Sequence, residues 1–172
     1  YSHNLDHLIL SNSMAPNAVD WQTESAVIAK MQTENDRFER QRILDALKDK
    51  SQDRLKLIEE LLMASFKPQM YDRENLKKLK LYVPDDFDQR SELYQLLSPD
   101  MMDFSYDDAL TKITCPTLLL YGSTEPAIMV YAREMAETIP KGELSIIKES
   151  GHFPFIEQPA AVDKVVLNFL NN

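Results

Sequence analysis

The chain reads as an α/β protein in which an all-helical insertion interrupts a parallel sheet. Three short apolar runs, near residues 6–12, 117–121 and 143–148, have the length and composition of strands covered on both faces. Helical periodicity follows the second and third runs, the strand–helix alternation of a parallel sheet with right-handed crossovers. The stretch from about Ala18 to Leu110 shows helical periodicity and no convincing strand.

Each element follows from its residues. The first run, Asp6-His7-Leu8-Ile9-Leu10-Ser11-Asn12, is aliphatic and ends in polar residues. Within the insertion, Ser51 can cap a helix carrying Leu55, Ile58, Leu61, Leu62 and Phe66, which Pro68 stops. Asp72 can cap a shorter one with Leu76, Leu79 and Leu81. Ser91 to Leu97 and Ser105 to Ile113 supply two more, the latter capped by Ser105 with Asp107 and Asp108 against its unpaired N–H groups. The second run, Thr117 to Tyr121, lies between Pro116 and Gly122. Pro126 then suits the first turn of a helix with Ile128, Tyr131, Ala132, Met135, Ala136 and Ile139 at helical spacing. The third run, Glu143 to Lys148, follows Pro140-Lys141-Gly142. Pro159 opens a last helix with Val162, Val165, Val166, Phe169 and Leu170 on one side. Residues 1–17 and 111–172 are therefore assigned to the sheet core, and residues 18–110 to the insertion.

Composition narrows the function. A net charge of −9, spread along the chain, repels polyanions, so nucleic acid is not an expected partner. One cysteine, Cys115, excludes an internal disulfide and a cysteine-based metal cage. No apolar stretch reaches the ~18 residues of a membrane span, so no membrane partner is expected either. These features suit a reducing compartment, and a cytoplasmic location is the expectation. Three glycines are few for a complete enzyme, whose tight turns and anion-binding loops consume glycine.

Two residues stand where chemistry is expected. Glu125 follows Gly122 at the end of the second run, and His152 follows the third in Ser150-Gly151-His152. Loops beyond the carboxyl ends of parallel strands converge, so the two can meet although distant in sequence. A carboxylate beside an imidazole fixes its tautomer and stabilises the imidazolium formed when it accepts a proton. Alternatively Glu125 caps the following helix. His3 and His7 read as structural or surface residues.

The segment Ile113-Thr114-Cys115-Pro116-Thr117-Leu118-Leu119-Leu120-Tyr121-Gly122, then Glu125-Pro126, then Ser150-Gly151-His152-Phe153-Pro154-Phe155-Ile156-Glu157-Gln158-Pro159, resembles the C-terminal end of α/β-hydrolase-fold enzymes. Leu8-Ile9-Leu10-Ser11-Asn12-Ser13 resembles that family's sixth strand, which precedes an inserted helical cap. The resemblance implies that His152 is the catalytic base and Glu125 the acid, in place of the usual Asp. It also implies that the chain is the C-terminal part of such a sheet. Glycines stand only at 122, 142 and 151, so there is no G-x-S-x-G elbow. The elbow, the oxyanion loop and five strands are expected upstream of Tyr1, which makes the N-terminal half of the same fold a required partner. Residues 1–172 alone are then expected to be inactive and, with an exposed sheet edge, to associate or fold loosely.

Substrate class rests on the cap. Leu57-Ile58-Glu59-Glu60-Leu61-Leu62, then Pro68, Tyr71 and Arg73-Glu74, looks like the caps of proline iminopeptidase-type aminopeptidases. That likeness implies that Glu59 and Glu60 hold the substrate's free α-ammonium by a charge-assisted contact. The alternative is a solvated helix face. Phe153 is a candidate pocket-wall residue, with plain core packing as its alternative. The expectation is a serine hydrolase releasing N-terminal residues from small peptides, needing neither metal nor organic cofactor. An esterase or other small-substrate hydrolase is the first alternative, and a non-catalytic ligand-binding relative the second.

Overall fold

The computed structural model describes residues 2–99 and 102–171. Its described strands, β1 (Leu8–Ser11), β2 (Thr117–Gly122) and β3 (Gly142–Ile147), form one parallel sheet in the order β1-β2-β3. Leu8 pairs with Thr117, and Thr117 with Gly142. The central strand β2 is buried along its whole length, as its unbroken apolar run requires.

The two faces of β2 alternate with the pleat. Leu119 and Tyr121 pack with Ala127, Tyr131, Ala132, Met135, Ala136 and Ile139 on one side. Leu118 and Leu120 meet Ile9, Ile147, Val162, Val165, Val166 and Phe169 on the other. Ile9 and Ile147 come from the neighbouring strands; Val162, Val165, Val166 and Phe169 lie on α9 (Pro159–Leu170), whose apolar stripe was legible in the sequence. Just before it stands the single turn α8 (Pro154–Glu157).

Between β1 and β2 the described chain forms α1 (Ala18–Met31), α2 (Glu34–Ala46), α3 (Arg54–Phe66), α4 (Phe87–Leu97) and the short α5 (Asp107–Leu110). Its two ends are stitched together: Ala18 N–H donates to Phe104 O at 2.9 Å and Tyr106 N–H to Pro16 O at 2.8 Å. A small core of Ile43, Leu57 and Ala64 joins α2 to α3. The α2 N-terminus is a reciprocal capping box between Thr33 and Asp36.

Several boundaries differ from the sequence reading. Asp53, not Ser51, caps α3, because its carboxylate accepts from Lys56 N–H while Ser51 turns back onto Asp49. The Asp72-capped segment is a 3-10 helix, Arg73–Lys78. Helix α4 begins at Phe87 rather than Ser91, and α5 stops at Leu110. Ser105 bonds Asp107 in a local turn outside that helix. The helix expected from Pro126 to Ile139 is two, α6 (Ala127–Val130) and α7 (Ala132–Thr138), broken at Tyr131 with φ −143°. The Tyr131 hydroxyl is held at that break by Ser13 O, 2.9 Å away, so a tertiary contact overrides local periodicity.

Candidate active site

The site forms where β2 and β3 end. From Gly122 the chain turns through Ser123 and Thr124 to Glu125; from Ile147 it turns at Glu149, with φ 53°, to Ser150, Gly151 and His152. The turns are bonded to each other, with Ser123 N–H on Ile147 O at 2.8 Å and Thr124 N–H on Ser150 O at 3.1 Å. Glycine is needed at both ends. A Cβ on Gly122 would lie 2.1 Å from Gly151 O, and one on Gly151 would lie 2.0 Å from Gln69 O.

This close approach brings His152 Nδ1 to 3.1 Å from Glu125 Oε1 and 3.3 Å from Oε2. The Glu125 side chain is 3% exposed and that of His152 29%. Glu125 does not cap α6, whose N-terminus receives no side-chain bond. With Nδ1 engaged, Nε2 is the nitrogen left for proton transfer. Burial by itself would lower the His152 pKa. The bond to Glu125, that carboxylate's charge and the charge of Glu24 outweigh it and raise the pKa above the ordinary 6.5.

The His152 backbone and ring are clasped from several sides. Its N–H donates to Gln69 O at 2.9 Å. Phe66 stacks on the ring at 6.0 Å and 13°, and Phe153 meets it edge-on at 4.9 Å and 89°. Glu157 is buried and accepts from Gly151 N–H at 2.7 Å, Asp72 N–H at 2.9 Å and Tyr71 N–H at 3.3 Å. The glutamate of the Ser-Gly-His segment therefore ties the His152 turn to the helical insertion.

His152 and Glu125 open onto a cavity of about 210 Å³, with Asn12, Trp21, Ile28 and Gln69 in its walls. Glu24 of α1 also lines it and is 8% exposed. Its oxygens lie 3.1 and 3.2 Å from the Tyr131 hydroxyl, and among the described residues no cation is paired with it. Burial pushes its carboxyl up to about 7; the Tyr131 bond opposes the rise and the Glu125 charge adds to it. Burial likewise pushes Tyr121 up to about 12 and Tyr131 up too, so both hydroxyls stay protonated donors at neutral pH.

The other candidates from the sequence lie elsewhere. Glu59 and Glu60 line a separate cavity of about 500 Å³ beside Arg42, Lys56 and Lys67, and Glu60 is 3.7 Å from Arg42. Phe153 touches the His152 ring without lining the His152 cavity. His7 packs edge-on against Phe169, His3 is exposed, and Cys115 is buried ahead of β2. Sequence reasoning missed Asn12 and Glu24. The only available signals were a polar residue ending a strand and an acid just ahead of Ala26-Val27-Ile28.

Comparison with known proteins agrees with the fold. No family model matches the chain. The proline iminopeptidase of Heyndrickxia coagulans is 29% identical over 73 residues, 42% of this chain and 25% of that protein. An α/β fold family hydrolase from Bacillus anthracis superposes with a TM-score of 0.64 at 22% identity, over 96% of this chain and 58% of that one. A thermophilic esterase from Thermogutta terrifontis gives 0.58 at 20% identity, over 99% and 57%. The proline iminopeptidase of Mycobacterium smegmatis gives 0.56 at 18% identity, over 98% and 57%. The chain thus has the α/β-hydrolase fold and spans a quarter of the curated relative and little more than half of these structures.

Proposed function

We propose that this α/β-hydrolase-fold chain carries the acid–base pair of a serine hydrolase that releases N-terminal residues from small peptides. The observation that carries the reading is the 3.1 Å contact between His152 Nδ1 and the buried Glu125 where two parallel strands end. A serine from the remainder of the fold attacks the substrate carbonyl, and its hydroxyl proton passes to His152 Nε2. The same proton goes to the leaving amine as the C–N bond breaks, and water then hydrolyses the acyl-enzyme by the reverse relay. Glu125 holds the ring in one tautomer throughout and offsets the imidazolium charge.

Glu24 favours an amine-bearing substrate. It lines the same cavity and, among the described residues, no lysine or arginine is paired with it, so an ammonium group would complement its ionised form. Glu59 and Glu60 face a different cavity and are proposed for the ammonium only if a long peptide reaches them. An esterase is the second reading, favoured by the largely apolar Trp21 and Ile28 walls and by the likeness to an esterase structure.

The test is hydrolysis of an amino-acid arylamide against short acyl esters by the protein containing this chain. Arylamide turnover that falls by about 10⁶ in His152→Ala is expected. Ester turnover alone would sink the peptidase reading, and no turnover of either would sink the hydrolase.

A further inference from the structure

We infer that Asn12, at the end of β1, is a positioning residue that sets the distance between Glu125 and His152; the inference rests on their pairing proposed above. Asn12 Nδ2 lies 2.6 Å from His152 O, 3.3 Å from Gly151 O and 3.3 Å from Glu125 Oε2. All three neighbours are acceptors, so the amide nitrogen, not its oxygen, must face them. Two N–H groups serve three oxygens: one lies on His152 O, and the other spans Gly151 O and the carboxylate. A single side chain thus grips the base's turn and the acid itself.

Several features show that the arrangement is built. Asn12 has φ 43°, in the left-handed region that asparagine tolerates better than most residues, and its N–H is fixed to Leu120 O at 2.9 Å. Its Oδ1 is buried and has no hydrogen-bond partner among the described residues. An unpaired buried oxygen opposes placing an amide here, so the nitrogen's bonds must outweigh it. They complete the clasp on His152, whose N–H is held by Gln69 from the insertion and whose C=O is held by Asn12 from the sheet. Of these two holds, only Asn12 also reaches the acid.

The contact to His152 O is much the shorter, so loss of the amide chiefly frees the His152 turn. The imidazole then separates from Glu125, and burial gains on attraction. Asn12→Gly removes the amide and retains a residue that accepts the left-handed backbone. In protein labelled with ¹⁵N-histidine, the His152 pKa is expected to fall by about 0.5–1 in this variant. An unchanged or higher His152 pKa overturns the inference.

If the glycine variant does not fold, the wild-type Asn12 side-chain amide decides. Held between fixed acceptors, its two protons stay distinct and their shifts follow the His152 titration. An amide whose shifts ignore that titration overturns the inference. Neither readout needs turnover, so an inactive protein that gives both results refutes the hydrolase reading and leaves the role of Asn12 standing.

Discussion

His152 and Glu24 titrate for opposite reasons across one small cavity. Burial disfavours the His152 imidazolium, yet Glu125 and Glu24 favour it more. This raised pKa makes the pairing fully stabilising below about pH 6.5, and the contribution fades as pH climbs through the elevated value. Glu24 is held up to about 7 chiefly by burial, against an ordinary 4.5. The folded chain then keeps a proton that the unfolded chain has released, so stability falls between 4.5 and about 7 and levels off above. Glu24→Gln, which can keep the Tyr131 contact, is expected to stabilise the fold by on the order of 2–3 kcal/mol at about pH 8 and not at all at about pH 4. Calorimetric Tm values at the two pH extremes check this, and an equal shift at both would remove burial of the charge as the cause.

At the scale of elements, the join between α2 and the turn after α3 depends on Asp36. Its carboxylate closes the capping box with Thr33 and lies 2.9 and 3.0 Å from Arg73 Nη1. Burial would raise its pKa, but the Thr33 N–H, the Thr33 hydroxyl and Arg73 together hold it below 3.8. The contribution is present above that value and is lost as pH falls through the depressed one. Asp36→Ala removes the carboxylate half of the capping box, keeps the Thr33 hydroxyl on the residue 36 N–H, and leaves Arg73 without its carboxylate partner, at an expected cost of about 2–4 kcal/mol in urea unfolding. A loss below about 0.5 kcal/mol would mark the pair as a solvated surface contact. The same box shows what local sequence can reveal. Thr33 and Asp36 lie three residues apart, within reach of a pattern, whereas Arg73 joins them only because the insertion folds back.

For the whole molecule, insertion and sheet are interlocked around the His152 turn. Glu157 accepts from the backbone at Tyr71 and Asp72, and Gln69 accepts from His152, so a shift of the insertion would be felt at the base. Protection from hydrogen exchange should follow burial. Amides of Leu118 to Tyr121 in β2 are expected to exchange slowest. Those of α4, which buries no described residue and exposes Leu93, Leu96 and Leu97, should exchange fastest among the longer helices. Comparable protection in α4 and β2 would show that α4 is covered in solution.

The sequence by itself determined the parallel strands, the stripe of α9 and the meeting of Glu125 with His152. Each is written in a short stretch: an apolar run, a helical spacing, a glycine and a charged residue just past a strand end. Tertiary structure alone decided the break at Tyr131, the displacement of Glu59 and Glu60 from the His152 cavity, and the arrival there of Glu24 and Asn12. Asn12 lies 140 positions from His152, and Glu24 lies 107 from Tyr131. Periodicity and capping act within about four residues, whereas the partner of a buried polar group is chosen by whichever distant segment the packed fold places against it.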